Sequence, residues 1–590
     1  MRRPRTLVEA LEQVSTIEDG GYRHLLDERS EARFVSYAEL ARRSGTIAAA
    51  IQDTGVARGD RVGLVLPDSA EFVEAFYGTM VAGAVPVPVY PPIRLSDLGT
   101  YLENTAAILR RAGCRLVIAG EQVRTLLGSL LARIPELRSV TTLARLVPAG
   151  DTAFPAPVSI GPDDVAFLQF TSGSTAAPKG VALTHRNLLA NIAAISAGLA
   201  MDESADGVSW LPLYHDMGLI GFVLTPLTFG ARRGVLFLSP VSFLKRPALW
   251  LQEISRRQAT ITFAPNFAYG LCARRVRDSE LEGLDLSSLR VAGCGAEPIH
   301  HATLDTFHRR FASIGFRRTA FLPCYGMAEH CLAATFTGLE DDLTTDDVDP
   351  GALGEGRAIP AAPGAPATRI VNCGRPFPGH DLRILGQDGQ DRAEREVGEV
   401  VLRGPSVMRG YWEDAETTAS TLRDGWLHTG DLGYLAGGHL HICGRTKDLL
   451  ISNGRNYHPQ DLEMQAGEVE GVRRGNVVAF AVQSTAGGQE RIVVAAETRA
   501  PDSEWRRLAR AVEERILAHL GLKVDEVVLL PPGALPKTSS GKLQRSRTRE
   551  IFVSGRLGAV PRRAPWRLAI ELARSRWHYL AGAIRRPLRR

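Results

Sequence analysis

Phe170-Thr-Ser-Gly-Ser-Thr-Ala-Ala-Pro-Lys-Gly180 decides the reading of this chain. Seven of the ten residues from Thr171 to Gly180 are Gly, Ser, Thr or Lys. An apolar run, Val165 to Phe170, enters it, and a helix-like stretch, Leu188 to Leu199, follows soon after. Gly173 and Gly180 let backbone approach a ligand closely. Thr171, Ser172, Ser174 and Thr175 supply hydroxyls, and Lys179 supplies a mobile positive charge. That set suits a polyphosphate. The spacing Gly-x4-Gly-Lys-Ser/Thr is absent, so it is not a Walker loop. The plainer reading is a polar turn between strand and helix.

Upstream, Arg61 to Pro67, Ala84 to Tyr90 and Cys114 to Ala119 read as buried strands. Ala70 to Ala82 and Leu98 to Ala112 read as helices between them. That alternation argues for an α/β fold with a largely parallel sheet. Residues 148–162 read as a linker. Thr337 to Thr368 is rich in Asp, Gly, Pro and Ala and shows no clear period, so it reads as an insertion or functional loop. Val371 to Tyr434, with short alternating runs, reads as a small β subdomain. A further α/β unit follows Arg445.

A chain of 590 residues exceeds one core and implies two to four domains. No run of 18 uncharged apolar residues is present, and the basic start lacks the apolar core of a secretory signal. Seven dispersed cysteines suggest reduced thiols in a cytoplasmic protein and no cysteine-ligated metal. Residues 556–590 hold ten arginines and one glutamate, net +9, so the rest of a chain at +5 overall stands at −4. The body therefore lacks the basic footprint of a nucleic-acid binder.

Further polar clusters lie at expected strand ends and in glycine-rich loops. They are Leu211-Pro-Leu-Tyr-His-Asp-Met-Gly218, Gly295-Ala-Glu-Pro298, Cys324-Tyr-Gly-Met-Ala-Glu-His330, His428-Thr-Gly-Asp431, Gly444-Arg-Thr-Lys-Asp448 and Pro536-Lys-Thr-Ser-Ser-Gly-Lys-Leu-Gln-Arg545. In this order they resemble the adenylate-forming superfamily of acyl-CoA synthetases, peptide-synthetase adenylation domains and luciferases, over about residues 30–555. Within it the chain is similar to fatty acyl-AMP ligases. Pro88-Val-Tyr-Pro-Pro92, Gly454-Arg-Asn-Tyr-His-Pro-Gln-Asp461 and the long segment before Cys373-Gly-Arg-Pro376 carry that closer likeness.

The resemblance implies a large N-terminal AMP-binding domain, 1–447, of two α/β subdomains plus a small β subdomain. It implies a small mobile α+β domain, 448–555, and leaves a basic tail, 556–590. The implied reaction is attack of a fatty acid carboxylate on the α-phosphorus of ATP, release of pyrophosphate, and acyl transfer to the phosphopantetheine thiol of a carrier protein or synthase carrier domain. Thr171, Ser172, Gly173, Ser174, Thr175, Lys179 and Gly180 would grip the departing phosphates. Gly295, Ala296, Glu297, Tyr325, Gly326 and Met327 would form the adenine pocket, and Asp431 and Arg445 would hold the ribose. Glu329 would help hold Mg²⁺. Lys542 would bridge carboxylate and α-phosphate, with His215 at the carboxylate end of the acyl tunnel. Asp448 would be the hinge. The chain departs from the ligase pattern at Cys294, where asparagine is commoner, and at Tyr457-His458.

Two other readings stay open: an acyl-CoA synthetase using CoA, and a non-catalytic acyl or nucleotide sensor. In the tail, Trp566, Ile570, Ala573, Trp577, Leu580 and Ile584 recur at helical spacing with arginines on the flank. Such a helix suits an anionic membrane surface at its inner face, the enzyme's own mildly acidic body, or an acidic carrier.

Overall fold

The computed structural model describes residues 3–27, 30–92, 98–147, 155–171, 178–452, 455–483, 490–538 and 542–558. The residues Ser172, Gly173, Ser174 and Thr175, and the tail helix expected over 561–590, lie outside them.

Two sheets form the body. The first is parallel throughout, in the order Val85–Pro88, Arg61–Val65, Cys114–Ala119, Ser139–Thr141. Its strands are covered by the helices Ser69–Val81 and Leu98–Ala112. These are the contiguous apolar runs of the sequence, as expected of strands buried on both faces. The second sheet has nine strands. Its six central members, Gly21–Leu25, Val235–Leu238, Gly207–Ser209, Ile261–Ala264, Val291–Cys294 and Phe321–Gly326, run parallel. Antiparallel strands close both edges.

Between the sheets, Val165–Thr171 and Lys179–Thr184 pair antiparallel, Phe170 against Gly180 and Thr171 against Lys179. The glycine-serine stretch therefore joins two strands, not a strand and a helix. The helix comes one element later, at His185–Gly198, where Thr184 and Asn187 form a reciprocal capping box. Gly410–Tyr411 adds a third strand, setting Tyr411 opposite Val181.

Residues 337–368 hold regular structure that the sequence did not betray. Thr345–Val348 pairs antiparallel with Thr368–Val371, and Pro350–Gly354 forms a short helix capped by Asp349. Val348, Leu353, Ala358, Ile370 and Tyr434 make a small core of their own there. The elements are short and use many polar residues, such as Asp346 and Asp347, whose carboxylates pair with Arg395 and Arg369, so no period shows.

The β subdomain follows, with Asp381–Leu385, Gly398–Arg403, Trp426–Ala436 and His439–Arg445 in antiparallel order. The last unit is α+β. Val472–Gln483, Glu490–Thr498 and Glu526–Leu530 form its sheet, and Pro459–Gly467, Trp505–Leu520 and Arg545–Val553 its helices. It has a separate core around Leu462, Val494, Val512 and Ile516.

Among the described residues no helix is long and apolar enough to cross a membrane. All seven cysteines are free, and six of them have their thiols pushed above the usual range by burial as the first cause. The seventh, Cys443, is pushed up by burial too, with Asp461 and Asp346 adding to it.

Candidate active site at the junction of the two units

One cavity of about 2900 Å³ runs from the junction of the two units into the nine-stranded sheet. Its walls include His215, Glu297, Tyr325, Glu329, Asp431, Arg445, Asp448 and Lys542. Residues separated by more than 300 positions thus meet at one place. Tyr325 and Glu297 lie at or just past the carboxyl ends of the parallel strands Phe321–Gly326 and Val291–Cys294, where ligands of open α/β sheets bind, while Asp431, Arg445 and Lys542 come from the β subdomain and the C-terminal unit.

Tyr325 ends the strand Phe321–Gly326 and is buried. Its hydroxyl donates to Asp431 Oδ2 at 2.7 Å. Arg445 Nε donates to Asp431 Oδ1 at 2.8 Å. The strand pairing that sets Asp431 opposite Arg445 fixes this arrangement. The Asp431 carboxylate raises the Arg445 guanidinium above its ordinary range. Burial and then the Asp431 charge raise the Tyr325 phenol. The result is an aromatic face beside a carboxylate, suited to a nucleoside.

Ala296 follows the strand Val291–Cys294 with φ at +66°, a left-handed conformation in a residue with a side chain. It and Glu297 line the same cavity. Glu297 Oε1 accepts the Phe267 N–H at 2.7 Å, which ties this turn to the start of the helix Asn266–Arg275. Cys294, the departure noted in the sequence, is fully buried, and its carbonyl accepts the Cys324 thiol at 3.3 Å.

Glu329 is held in the short turn Ala328–His330, and Tyr411 donates to its Oε1 at 2.8 Å. Burial raises its carboxyl, which the Tyr411 hydrogen bond only partly offsets. Lys179 Nζ stands 5.1 Å from the Tyr411 ring centroid, within cation–π reach. A carboxylate that pays for burial without a full charge partner is a fitting oxygen donor for a hard cation. Among the described residues no group of three or more candidate ligands surrounds it.

His215 Nδ1 and Asp216 Oδ1 are 2.5 Å apart. Burial pushes the Asp216 carboxyl up, but the His215 interaction and the nearby Lys542 charge outweigh it and leave it below its ordinary value. Lys542 itself is lowered by burial, while Asp216 and Glu297 pull it back up. The lysine of the C-terminal unit thus lines the same cavity as Asp216 and Glu297 of the N-terminal body and feels the charge of both. Its loop is shaped locally: Thr538 N–H donates to the Lys542 carbonyl at 2.7 Å, Lys542 N–H to Thr538 Oγ1 at 3.0 Å, and Gln544 N–H to the Pro536 carbonyl at 3.0 Å.

Asp448 closes the single turn Thr446–Asp448, and its Oδ2 receives Arg545 Nη1 at 2.7 Å. Arg545 also reaches Glu463 Oε1 at 2.7 Å and the Ala479 carbonyl at 2.9 Å. Asp216, Tyr411 and Arg545 line the same cavity, and motif reading gave them no role. Asp216 had a signal, its place beside His215. Tyr411 had none, because its role comes from a two-residue strand far downstream.

The family described as AMP-binding enzyme matches residues 18–412. The chain belongs to the AMP-binding enzyme family. It is 39% identical over 559 residues to a putative acyl-CoA synthetase of Caulobacter vibrioides, covering 94% of this chain and 96% of that one. It is 33% identical over 576 residues to the medium-chain-fatty-acid–[acyl-carrier-protein] ligase JamA of Moorena producens, with coverages of 94% and 96%. Among solved structures it is similar to one from a study of fatty acyl-adenylate ligases of E. coli and L. pneumophila. The TM-score is 0.87 and the identity 37%, over 93% of this chain and 98% of that one. The α/β architecture with a smaller C-terminal unit is shared with that structure.

Proposed function

We propose that the protein activates a fatty acid with ATP and then delivers the acyl group to the phosphopantetheine thiol of a separate carrier protein. The observation that supports the reading is that Lys542, Asp216, Glu297, Tyr325, Asp431 and Arg445 all line one cavity, with Tyr325 and Arg445 bonded to Asp431. A carboxylate and a triphosphate are both anions. A buried cation at their meeting point offsets the repulsion and holds them in line.

In this mechanism the carboxylate oxygen attacks the α-phosphorus, the bond to the β-phosphate oxygen breaks, and pyrophosphate leaves. Tyr325 stacks on the adenine, and Asp431 with Arg445 orients the ribose. Lys179 and the loop before it hold the β and γ phosphates. His215, fixed by Asp216, bounds the carboxylate end of the acyl tunnel. Glu329 would hold Mg²⁺, which when bound neutralises phosphate charge. The unit from 448 to 555 then turns about Asp448, withdrawing Lys542 and admitting the thiol.

Relatives named as a carrier-protein ligase and as fatty acyl-adenylate ligases support the carrier as acceptor. The Caulobacter relative, named a putative acyl-CoA synthetase, favours CoA as the second reading. Mass spectrometry of the products with ATP, Mg²⁺, fatty acid and either CoA or holo-carrier decides between them. Acyl-AMP and a loaded carrier are expected, and abundant acyl-CoA would overturn the assignment.

The site of action is the cytoplasm, with the basic tail resting on the inner membrane face. Co-sedimentation with anionic liposomes, for the full chain and for a form ending at residue 560, tests this. Equal binding by both forms would end the tail's role.

A further inference from the structure

Gly218 and Gly221, three residues apart, answer to different constraints. A Cβ on Gly218 would lie 2.3 Å from the Pro212 carbonyl oxygen, closer than any real contact, so packing demands glycine there. A Cβ on Gly221 would meet only Leu332 Cδ2, at 3.6 Å, an ordinary contact. Nor does Gly221 have a left-handed φ. It sits in the π-helical turn Ile220–Leu224, stabilised by Thr225 Oγ1 donating to the Ile220 carbonyl at 2.8 Å. Glycine inside a helix is a cost relative to alanine. Neither backbone nor packing accounts for that cost.

The cavity does. Gly221 lines it and is half-buried, while Ile220 and Phe222 to Leu227 on either side are fully buried. Around it the wall is apolar: Ile195, Phe222, Phe263, Leu332 and Phe336. The same cavity is also lined by Thr225 and Pro226, and by Ala231 and Gly234 at the amino-terminal end of the strand Val235–Leu238. From Asp216 to Pro226 the helical path alone is about 15 Å, ten residues at 1.5 Å each. π-helical turns are frequent at functional sites.

We infer that Gly221 is the specificity-determining residue that keeps the tunnel open to its far half, and that the substrates are long-chain fatty acids that need that half. This rests on the adenylation reading, but not on which thiol accepts the acyl group. Each methylene carried past Gly221 into apolar surroundings strengthens binding by about fourfold. A side chain at 221 would therefore act on long chains far more than on short ones.

The test is pyrophosphate exchange with hexadecanoic and octanoic acids for wild type, Gly221→Ala and Gly221→Leu. Wild type is expected to prefer hexadecanoic acid. Gly221→Leu should cut the hexadecanoic-to-octanoic ratio of kcat/KM by about tenfold or more, through KM for the longer acid. Thermal unfolding of Gly221→Ala should be no lower than wild type, whereas Gly218→Ala should unfold at lower temperature. An unchanged ratio in Gly221→Leu, or equal loss with both acids, overturns the inference. So does a marked drop in the unfolding temperature of Gly221→Ala. If wild type exchanges pyrophosphate with neither acid, the adenylation reading fails instead.

Discussion

Arg545 and Asp448 form an ion pair of 2.7 Å, and Arg545 lies three residues beyond Lys542. The residue assigned to the hinge is therefore bonded to the end of the loop that carries the central lysine. Removing the guanidinium would leave Asp448 and Glu463 as neighbouring half-buried acids without their cation. Arg545→Ala should lose about 3 kcal/mol of stability in the C-terminal unit and slow pyrophosphate exchange, with Arg545→Lys intermediate. Calorimetry and exchange rates check this. Wild-type values in both would show that the pair holds nothing together.

Lys542→Ala should reduce pyrophosphate exchange by about 100-fold or more, the scale on which a preorganised charge at a reacting centre acts. Transfer from pre-formed acyl-AMP to the acceptor should suffer much less, because the lysine is assigned only to adenylate formation. Exchange that survives the substitution would remove Lys542 from that role.

Tyr411 holds Glu329 Oε1. Tyr411→Phe deletes one hydrogen bond to a charged group, worth roughly 1.5 kcal/mol. The Mg²⁺ concentration for half-maximal exchange should rise several-fold, with little change in the KM for fatty acid. A titration of activity against Mg²⁺ at fixed ATP reads this out. A rise confined to the KM for fatty acid would place Tyr411 elsewhere.

The N-terminal helix Leu7–Val14 docks through the Leu7 N–H, which donates to His185 Nδ1 at 3.1 Å. That bond needs a neutral imidazole. Burial lowers His185 to about 4, below the 6.5 of a free histidine. Because the folded value is depressed, its contribution to stability is complete above about pH 6.5 and is lost as pH falls towards 4. Proteolysis near the N-terminus should quicken across that window. In His185→Gln the same window should show a weaker pH dependence, and an equally steep one would assign the effect to other groups.

The sequence carried the parallel sheets well. Runs such as Leu116–Ala119 are apolar on both faces because helices cover both faces, and such runs stand out in the sequence. Motif order brought together Tyr325, Asp431, Arg445 and Lys542, all of which line one cavity. What stayed hidden arises from pairing over long separations. Tyr411 reaches Glu329 only because a two-residue strand adds to Lys179–Thr184. The elements of 337–368 stayed hidden because their polar residues are used in ion pairs, not in a periodic apolar face. The strand Lys179–Thr184 is short, and its pairing partner Val165–Thr171 lies across the glycine-serine stretch, so no local pattern announces it.

Cys324 and Cys443 line the same cavity as the nucleotide pocket, within the space where a mixed carboxylic–phosphoric anhydride would be made. Such an anhydride acylates thiolates. Both thiols are pushed well above their ordinary range, Cys324 by burial and then Cys373, Cys443 by burial and then Asp461 and Asp346. At neutral pH they stay protonated and are poor nucleophiles. On the proposed reaction, these two thiols are thus held in the form that resists acylation by the enzyme's own product. Intact-mass measurement after many turnovers should find the protein unmodified, and an acyl adduct on Cys324 would show that this protection fails.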